Sequence, residues 1–209
     1  MDFSGSIQYH MKVSSDAAFE KEEEKGHSMR GAAFIRALGS DESSYMASAP
    51  GHLLDYVSRA QRHVTRSTFA AELFSACDAC DHGILVALML REISKGVGDR
   101  SSARLLREVG GYAMPFVLII DAMSVYSAAI ATNIKIPFDK SLLSHVQFLR
   151  ECLDRGILKA IIWQDTRDML ADGLTKGAVE RTLLHAIMDG RTITQHASKT
   201  WTPKKLIKQ

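Results

Sequence analysis

The sequence has little that would place it outside the cell or in a membrane. Its 209 residues include only three cysteines (Cys77, Cys80 and Cys152), too few for a disulfide framework. The first residues lack the apolar core of a signal peptide, and no apolar run reaches the length that spans a bilayer. We therefore expect an intracellular protein, cytoplasmic or nuclear, without a membrane partner.

Strong net charge and a phosphate-binding loop are also missing. The formal charge is only +2, so no global field indicates a polyanionic partner. No glycine-rich phosphate-binding loop follows a predicted strand, so no nucleotide-binding motif supports the alternative of a metal-free small-molecule enzyme. Charge is concentrated locally, with acid in Glu20–Glu24 and base in Arg59–Arg66 and Lys199–Lys208. Local basic patches of this kind can bind phosphates on a nearly neutral protein.

The order of apolar patterns predicts one α/β domain over residues 1–189, followed by a loosely ordered basic tail over 190–209. The predicted strands are Ile7–Val13 (leading into Asp16), Met29–Leu38, His52–Ser58, Phe116–Ile120 and Lys159–Trp163. The predicted helices run from Ser67 or Thr68 to Ser94, then over Ala103–Val109, Met123–Thr132, Asp139–Asp154, from Asp165 or Asp168 to Leu174, and over Ala178–Met188. We expect a mixed five-stranded sheet flanked by helices, with the first three strands antiparallel and the last two parallel to the first.

Four acidic residues lie at or near the predicted strands and helices. Asp16 and Asp121 follow predicted strands, Glu72 lies at the edge of a helix's apolar stripe, and Asp172 lies near a helix start. Four carboxylates brought together would repel one another unless cations lay between them, and hard oxygen ligands select Mg²⁺ or Mn²⁺. Two such ions roughly 4 Å apart can activate water and stabilise the leaving oxygen of a phosphodiester. Spacing alone leaves the structural alternative open for each acid, as a turn residue, a helix cap or a solvated charge.

Asp121 has a distinct place among the four acids. It ends the most apolar predicted strand, so we expect it to be the most firmly held and to be shared between both ions.

Four segments in chain order carry a resemblance to a known family. They are Ser15-Asp16-Ala17-Ala18-Phe19, Thr65-Arg66-Ser67-Thr68-Phe69-Ala70-Ala71-Glu72-Leu73, Ile120-Asp121-Ala122-Met123-Ser124 and Asp165-Thr166-Arg167-Asp168-Met169-Leu170-Ala171-Asp172-Gly173-Leu174-Thr175-Lys176. Together they resemble the ribonuclease H domain of the Pol polyprotein of copia-type long-terminal-repeat retrotransposons. The last segment is the most specific of the four. Ala122 departs from the family pattern, which usually has asparagine at this position.

The resemblance implies a fold, a site and an activity. It implies a ribonuclease H-like fold in which Asp16, Glu72, Asp121 and Asp172 are catalytic and hold two Mg²⁺ (or Mn²⁺) ions. The implied reaction is endonucleolytic hydrolysis of the RNA strand of an RNA–DNA hybrid during reverse transcription, leaving a 3′-hydroxyl and a 5′-phosphate. A reverse transcriptase domain of the same polyprotein is a candidate partner. Recognition of the hybrid would depend on backbone shape and 2′-hydroxyl contacts.

Residues for nucleic-acid contact are less sharply defined. Arg59, Arg62 and Arg66 precede the Glu72 helix on the side where a nucleic-acid backbone would approach, and Ser124 follows Asp121. Plain solubility is the alternative explanation for the arginines.

Other functions stay open at this stage. The chain could be a non-catalytic nucleic-acid-binding relic, or another nuclease of the same superfold. We interpret Cys77-x-x-Cys80 as packing residues on a helix rather than as a zinc or redox motif, because no second ligand pair follows. Lone histidines such as His63 and His145 are more typical of surface or core positions than of proton shuttles.

Overall fold

The computed structural model describes residues 8–19, 28–39, 41–62, 64–112, 114–133, 137–177 and 180–203. The acidic run Glu20–Glu24, His63 and the end of the basic tail lie outside the described residues. The strands are β1 (Tyr9–Ala18), β2 (Met29–Leu38), β3 (Ala49–Ala60), β4 (Phe116–Ile120), β5 (Leu158–Gln164), β6 (Arg191–Thr192) and β7 (Ser198–Trp201). The helices are α1 (Glu42–Tyr45), α2 (Thr68–Lys95), α3 (Arg100–Val109), α4 (Met123–Ile130), α5 (Leu143–Asp154), α6 (Asp172–Thr175) and α7 (Thr182–Met188).

The strands form one mixed sheet in the order β6-β3-β2-β1-β4-β5-β7. β2 runs antiparallel to both β1 and β3, whereas β4 runs parallel to β1 and β5 runs parallel to β4. The predicted directions of the five central strands are therefore confirmed. The predicted number of strands is wrong, because β6 and β7 extend the sheet to seven.

The two additional strands come from the segment predicted to be a loose tail. β6 pairs with Ala49–Pro50 of β3, and β7 pairs antiparallel with β5 over Ser198–Trp201. Between them, the buried carboxylate of Asp168 accepts hydrogen bonds from the backbone N–H groups of Gln195 (2.9 Å) and His196 (2.6 Å). The prediction of a loosely ordered tail is wrong for residues 190–203. Short edge strands exposed on most of their length carry little apolar alternation, so the pattern did not indicate them.

Asp168 also explains a break in the predicted helix before Leu174. Its carboxylate binds the C-terminal segment instead of capping a helix. Asp165 caps only a single 3₁₀ turn over Thr166–Asp168, and regular helix resumes at α6. A further difference is α1, a one-turn helix in the stretch from Ser40 to Pro50 that we expected to be a loop.

The apolar β4 separates two parts of the core. Phe116, Leu118 and Ile120 face α2, α4 and α5, and belong to the larger cluster. Val117 and Ile119 face the opposite side, where they pack with Met169 and its neighbours. Every residue of β4 is buried, as predicted for a strand covered on both faces.

Helix α2 is long and apolar enough, by length and composition, to cross a membrane. It contains an 18-residue window of mean hydropathy 1.5, contrary to our expectation that no segment would meet this criterion. Half of that window is buried against the sheet and the neighbouring helices. The core helix of a soluble protein passes the same test, and burial accounts for much of the apolar composition of α2.

The cysteines behave as packing residues. Cys77, Cys80 and Cys152 are all free and buried. Burial raises the pKa of the Cys77 thiol, and a hydrogen bond with Cys152 together with burial raises that of Cys80. Neutral thiols in an apolar core are poor nucleophiles and poor metal ligands.

The central strand should dominate stability. We expect Leu118→Ala to lower the free energy of unfolding by about 2–5 kcal/mol, because Leu118 is fully buried and its removal leaves a cavity. The matched control is Leu105→Ala at a residue 57% exposed on α3, where a change within about 0.5 kcal/mol is expected. Urea denaturation followed by circular dichroism measures both. Equal losses in the two variants would contradict this account of the core.

Candidate metal centre

The parallel pairing of β1 with β4 sets Asp16 beside Asp121. The last pair in this register is Ser15 with Ile120, so the next residue on each strand is one of the two acids. β1 continues to Ala18, so Asp16 lies inside its strand and Asp121 lies just beyond its own. The prediction that Asp16 ends its strand is wrong. Its place at the carboxyl edge of the parallel pair is as expected.

The first turns of α2 bring Glu72 to the same edge. Ser67 caps the helix, since its Oγ accepts a hydrogen bond from the backbone N–H of Ala70 at 3.1 Å. Three residues after Glu72, Ser75 donates its hydroxyl to the carbonyl oxygen of Asp16 at 2.8 Å. Residues three apart share one face of a helix, so this bond holds the Glu72 turn over β1.

Asp172 reaches the site because α6 lies close against β2. Gly31 of β2 is the cross-strand partner of Asp16. A Cβ at Gly31 would lie 2.7 Å from Cγ2 of Thr175 and 3.0 Å from the carbonyl oxygen of Ala171. The missing side chain at Gly31 therefore allows α6 to approach the sheet and carry Asp172 to the acids.

The four predicted acids are brought together. One carboxylate oxygen from each of Asp16, Glu72 and Asp121 lies within 4.8 Å of the others. Asp172 joins this group through Lys176, whose Nζ lies 2.7 Å from Oδ1 of Asp172 and 3.6 Å from Oδ1 of Asp16. The convergence agrees with the predicted site, while the role of each acid as a metal ligand stays a prediction.

Asp16, rather than Asp121, holds the central place. Asp16 is 1% exposed, compared with 8% for Glu72 and 6% for Asp172, whereas Asp121 is partly exposed. We expected Asp121 to be the most firmly held acid, but Asp16 is the most buried of the four, and the relative rigidity of the acids stays a prediction. β4 ends before Asp121, so its carboxylate lies nearer to solvent than that of Asp16.

Two threonines fix the orientation of these carboxylates. Thr175 donates its hydroxyl to Oδ2 of Asp16, and Thr166 donates its own to Oδ2 of Asp121 at 3.0 Å. The other oxygen of Asp16, Oδ1, is buried and accepts no hydrogen bond from the described residues. A buried carboxylate oxygen without a donor is costly to maintain, and a cation would satisfy it.

The crowding of negative charge is visible in the pKa values. Burial, followed by the charges of Asp16 and Asp121, raises the pKa of Glu72 to about 9. Burial raises the pKa of Asp172 to about 6 against the opposing hydrogen bond from Lys176, and the charge of Asp16 adds to the rise. Burial and then the charge of Asp16 also raise the pKa of Asp121. In the metal-free cluster, the carboxyl groups therefore keep their protons to a higher pH than usual, because little positive charge balances them.

A divalent cation fits this donor set. The ligand atoms are carboxylate oxygens, which Mg²⁺ and Mn²⁺ prefer over the nitrogen and sulfur atoms that favour zinc. Asp16, whose Oδ1 accepts no hydrogen bond from the described residues, belongs to two groups that could hold cations. One group is Asp16 with Glu72 and Asp121, and the other is Asp16 with Asp172.

The raised pKa of Glu72 predicts that the metal-free protein loses stability as the pH rises. Folding favours the protonated acid, so the stabilising effect is complete below the ordinary pKa of 4.5 and is lost as the pH rises to about 9. Thermal melts in EDTA should show the wild-type melting temperature falling, relative to Glu72→Gln, between about pH 6 and 8. The difference between the two proteins removes the contribution of other groups, such as Lys12, whose pKa burial lowers to about 8.

Magnesium supplies the control for this pH dependence. A saturating concentration should flatten the difference between the two proteins, because a bound cation favours the ionised carboxylate. A wild-type melting temperature that rises relative to Glu72→Gln over the same range in EDTA would contradict the assignment.

Two of the predicted nucleic-acid contacts lie beside the acidic edge. Asp16 of β1 pairs with Gly31 of β2. The residue before Gly31 is Arg30, and its cross-strand partner on β3 is Arg59. Burial, followed by the charges of Arg59 and Arg62, lowers the pKa of Arg30, which indicates that the three guanidinium groups are neighbours. Arg59 and Arg62 are exposed, whereas Arg30 is buried and pairs with Asp78 of α2.

The other two predicted contacts lie on different elements. Arg66 is exposed just before α2 and lines a groove with Phe69, Phe138 and Lys140. Ser124 is exposed in the first turn of α4, three residues after Asp121. A nucleic-acid role for either residue stays a prediction.

Sequence reasoning missed several residues of the site. Thr175 and Lys176 stand in the most specific motif, yet no role was assigned to them. The spacing of four residues between Asp172 and Lys176 was an available signal, since residues at this spacing lie side by side on a helix. Nothing in the sequence indicated that Arg30, inside a strand, would join the basic residues at this edge.

Comparison with known proteins gives only distant similarities. No protein-family model matches this chain, and no curated protein matches it at a significant level. It is similar to the N-terminal RNase H domain of a Mycobacterium tuberculosis protein, solved as a fusion with maltose-binding protein. That match has 15% identity, covers 83% of this chain and 94% of the other, and has a TM-score of 0.44.

Two structures of LC11-RNase H1 are also similar to this chain. One is in complex with an RNA/DNA hybrid, with 13% identity, coverage of 83% of this chain and 99% of the other, and a TM-score of 0.46. The second is of the enzyme isolated from compost by a metagenomic approach, with 13% identity, coverage of 83% and 98%, and a TM-score of 0.40.

The strand order and directions of this chain's own sheet define its class. It has a ribonuclease H-like fold, with a mixed sheet between two layers of helices.

Proposed function

We propose that this protein is a metal-dependent endonuclease that hydrolyses the RNA strand of RNA–DNA hybrids. The observation that carries the proposal is the convergence of Asp16, Glu72, Asp121 and Asp172 at one edge of the sheet. An arrangement for structural purposes alone would not collect four acids, three of them buried, around one lysine.

The proposed reaction needs two divalent cations, Mg²⁺ or Mn²⁺, held by these four residues. When bound, such a pair supplies an activated water and stabilises the leaving oxygen. The oxygen of water bonds to phosphorus as the bond from phosphorus to the 3′ oxygen breaks, which leaves a 5′-phosphate and a 3′-hydroxyl. Asp16 would contribute to both cation positions, while Thr175 and Thr166 keep the carboxylates of Asp16 and Asp121 in place.

The arginines beside the acids would hold the substrate. Arg59 and Arg62 are exposed next to the acidic edge and can contact phosphates without reading base edges, whereas Arg30, the cross-strand partner of Arg59, is buried and pairs with Asp78. An RNA–DNA hybrid is distinguished from duplex DNA by its 2′-hydroxyl groups and its helical shape. Arg66 and Ser124 are the proposed contacts on the α2 and α4 sides of the site.

We further propose that the chain is the ribonuclease H domain of a copia-type retrotransposon Pol polyprotein. The four sequence motifs support this origin, with Asp172-Gly173-Leu174-Thr175-Lys176 at the end of the most specific one. A reverse transcriptase domain of the same polyprotein is then the proposed partner, and the proposed location is intracellular. The buried free thiols are compatible with a reducing compartment.

The test is cleavage of end-labelled substrates by the purified protein, with Mg²⁺, with Mn²⁺ and with EDTA. We expect the RNA strand of a hybrid to be cut in the presence of either metal, and duplex DNA, duplex RNA and single strands to be left largely intact. Preferential cutting of duplex or branched DNA would favour another nuclease of the same superfold. Hybrid binding without cleavage at any metal concentration would favour a non-catalytic relic.

A further inference from the structure

Lys176 occupies one side of the acidic cluster. Its Nζ lies 2.7 Å from Oδ1 of Asp172 and 3.6 Å from Oδ1 of Asp16. Among the described residues, it is the lysine or arginine that forms ion pairs within the cluster, and its partners are Asp16 and Asp172. One carboxylate oxygen from each of Asp16, Glu72 and Asp121 lies within 4.8 Å of the others, and no described lysine or arginine forms an ion pair with Glu72 or Asp121.

The position of Lys176 follows from the local backbone. Lys176 is the residue after α6, and its backbone N–H donates to the carbonyl oxygen of Asp172 at 3.0 Å. The spacing of four residues then places the ammonium group beside the Asp172 carboxylate. Its side chain is 35% exposed, whereas those of Asp16 and Asp172 are 1% and 8% exposed, so the lysine enters the cluster from the solvent side.

We propose that the Lys176 ammonium group occupies the position between Asp16 and Asp172 in the metal-free protein. The two metal positions therefore differ in their affinity for a divalent cation. The inference rests on the proposed function, since it concerns the cations of that site. The first divalent cation enters between Asp16, Glu72 and Asp121, because no described lysine or arginine forms an ion pair with Glu72 or Asp121. The second has to displace the Lys176 ammonium group from Asp16 and Asp172, because two positive charges a few ångströms apart repel strongly.

This arrangement has two consequences for the cluster. Lys176 neutralises part of the negative charge when no metal is present, and thereby stabilises the metal-free fold. It also sets the concentration at which the second position fills, so that full loading requires more cation than the first binding event.

Isothermal titration calorimetry with Mg²⁺ and with Mn²⁺ tests the inference on the 209-residue chain without nucleic acid. The wild type should bind two cations, with dissociation constants that differ at least about tenfold. Lys176→Met keeps most of the length of the side chain and removes its charge, so it should tighten the weaker binding event at least about tenfold and leave the tighter one nearly unchanged. Lys176→Arg keeps the charge, so the two dissociation constants should differ as much as they do in the wild type.

The matched control is Lys159→Met. Lys159 is an exposed lysine near the start of β5, whereas the acids lie at the carboxyl ends of the parallel strands. This variant should bind both cations as the wild type does. A parallel measurement is the thermal melt in EDTA, in which Lys176→Met should melt at a lower temperature than the wild type and should gain more from added Mg²⁺. If Lys176→Met does not fold, Lys176→Gln serves in both measurements.

The outcomes separate this inference from the proposed function. Two cation-binding events whose dissociation constants differ in the wild type and become nearly equal in Lys176→Met support the inference, whether or not the protein cleaves hybrids. Two events whose affinities do not respond to Lys176→Met overturn the inference and leave the nuclease proposal standing. No cation binding by the wild type overturns both.

Discussion

Asp16→Asn should abolish hybrid cleavage, with a loss of at least about a hundredfold, the scale observed when a key electrostatic element of an active site is removed. Asp16 is the most buried of the four acids, and its carboxylate faces both proposed cation positions. Asparagine keeps the shape of the side chain and can still accept the hydrogen bond from Thr175, but it lacks the charge that two divalent cations require. The rate of hybrid cleavage at saturating magnesium measures the effect.

Folding should survive this substitution. Deleting one charge from a repelling cluster relieves strain in the metal-free protein, so the melting temperature in EDTA should not fall. Asp121→Asn should also reduce cleavage, but by less, because Asp121 is partly exposed and contributes to one cation position. Asp154→Asn at an exposed residue of α5 is the matched control and should cleave at the wild-type rate. Equal cleavage by Asp16→Asn and Asp154→Asn would exclude Asp16 from the catalytic site.

Gly31→Ala should reduce hybrid cleavage by about ten- to a hundredfold, although Gly31 carries no reactive group. The added methyl group would meet Thr175 at 2.7 Å and the carbonyl oxygen of Ala171 at 3.0 Å. Since the carbonyl belongs to the backbone, the segment around Asp172 has to move away from the sheet. Displacements of about 1 Å in a catalytic group are sufficient for losses on this scale.

Gly177→Ala is the control for Gly31→Ala. It adds the same methyl group one residue beyond Lys176, where no atom of the described residues, its chain neighbours aside, lies within 4 Å. This variant should cleave at the wild-type rate and melt at the wild-type temperature. For Gly31→Ala, overpacking should also lower the free energy of unfolding by about 1–3 kcal/mol. Wild-type cleavage by Gly31→Ala would contradict the close approach of α6 to β2.

The central part of the fold could be predicted because its sequence patterns are local. Phe116–Ile120 is apolar throughout and ends at Asp121, and α2 begins at a serine that can cap it. These patterns place the acids on elements whose ends meet at one edge of a sheet. They made the four acids candidates, and the family resemblance then assigned them to one site before the strand register was known.

The remaining features depend on contacts between distant residues. β7 is mostly exposed, and its pairing with β5 is supported by Asp168, which binds the backbone of Gln195 and His196. The central place of Asp16 follows from β1 extending past the end of β4. The entry of Lys176 into the cluster follows from the small size of Gly31. Apart from the four-residue spacing of Asp172 and Lys176, these contacts produce no pattern that sequence reasoning could detect.

Anomalous diffraction from crystals grown with manganese tests the central claim most directly, because the claim is that these four carboxylates hold divalent cations. The account predicts a manganese peak at bonding distance, roughly 2.0–2.3 Å, from carboxylate oxygens of Asp16 and of Glu72 or Asp121. At higher manganese concentration, a second peak should follow between Asp16 and Asp172, with the Lys176 side chain moved away. Crystals that contain manganese elsewhere but none at this cluster, at any concentration, would contradict the account.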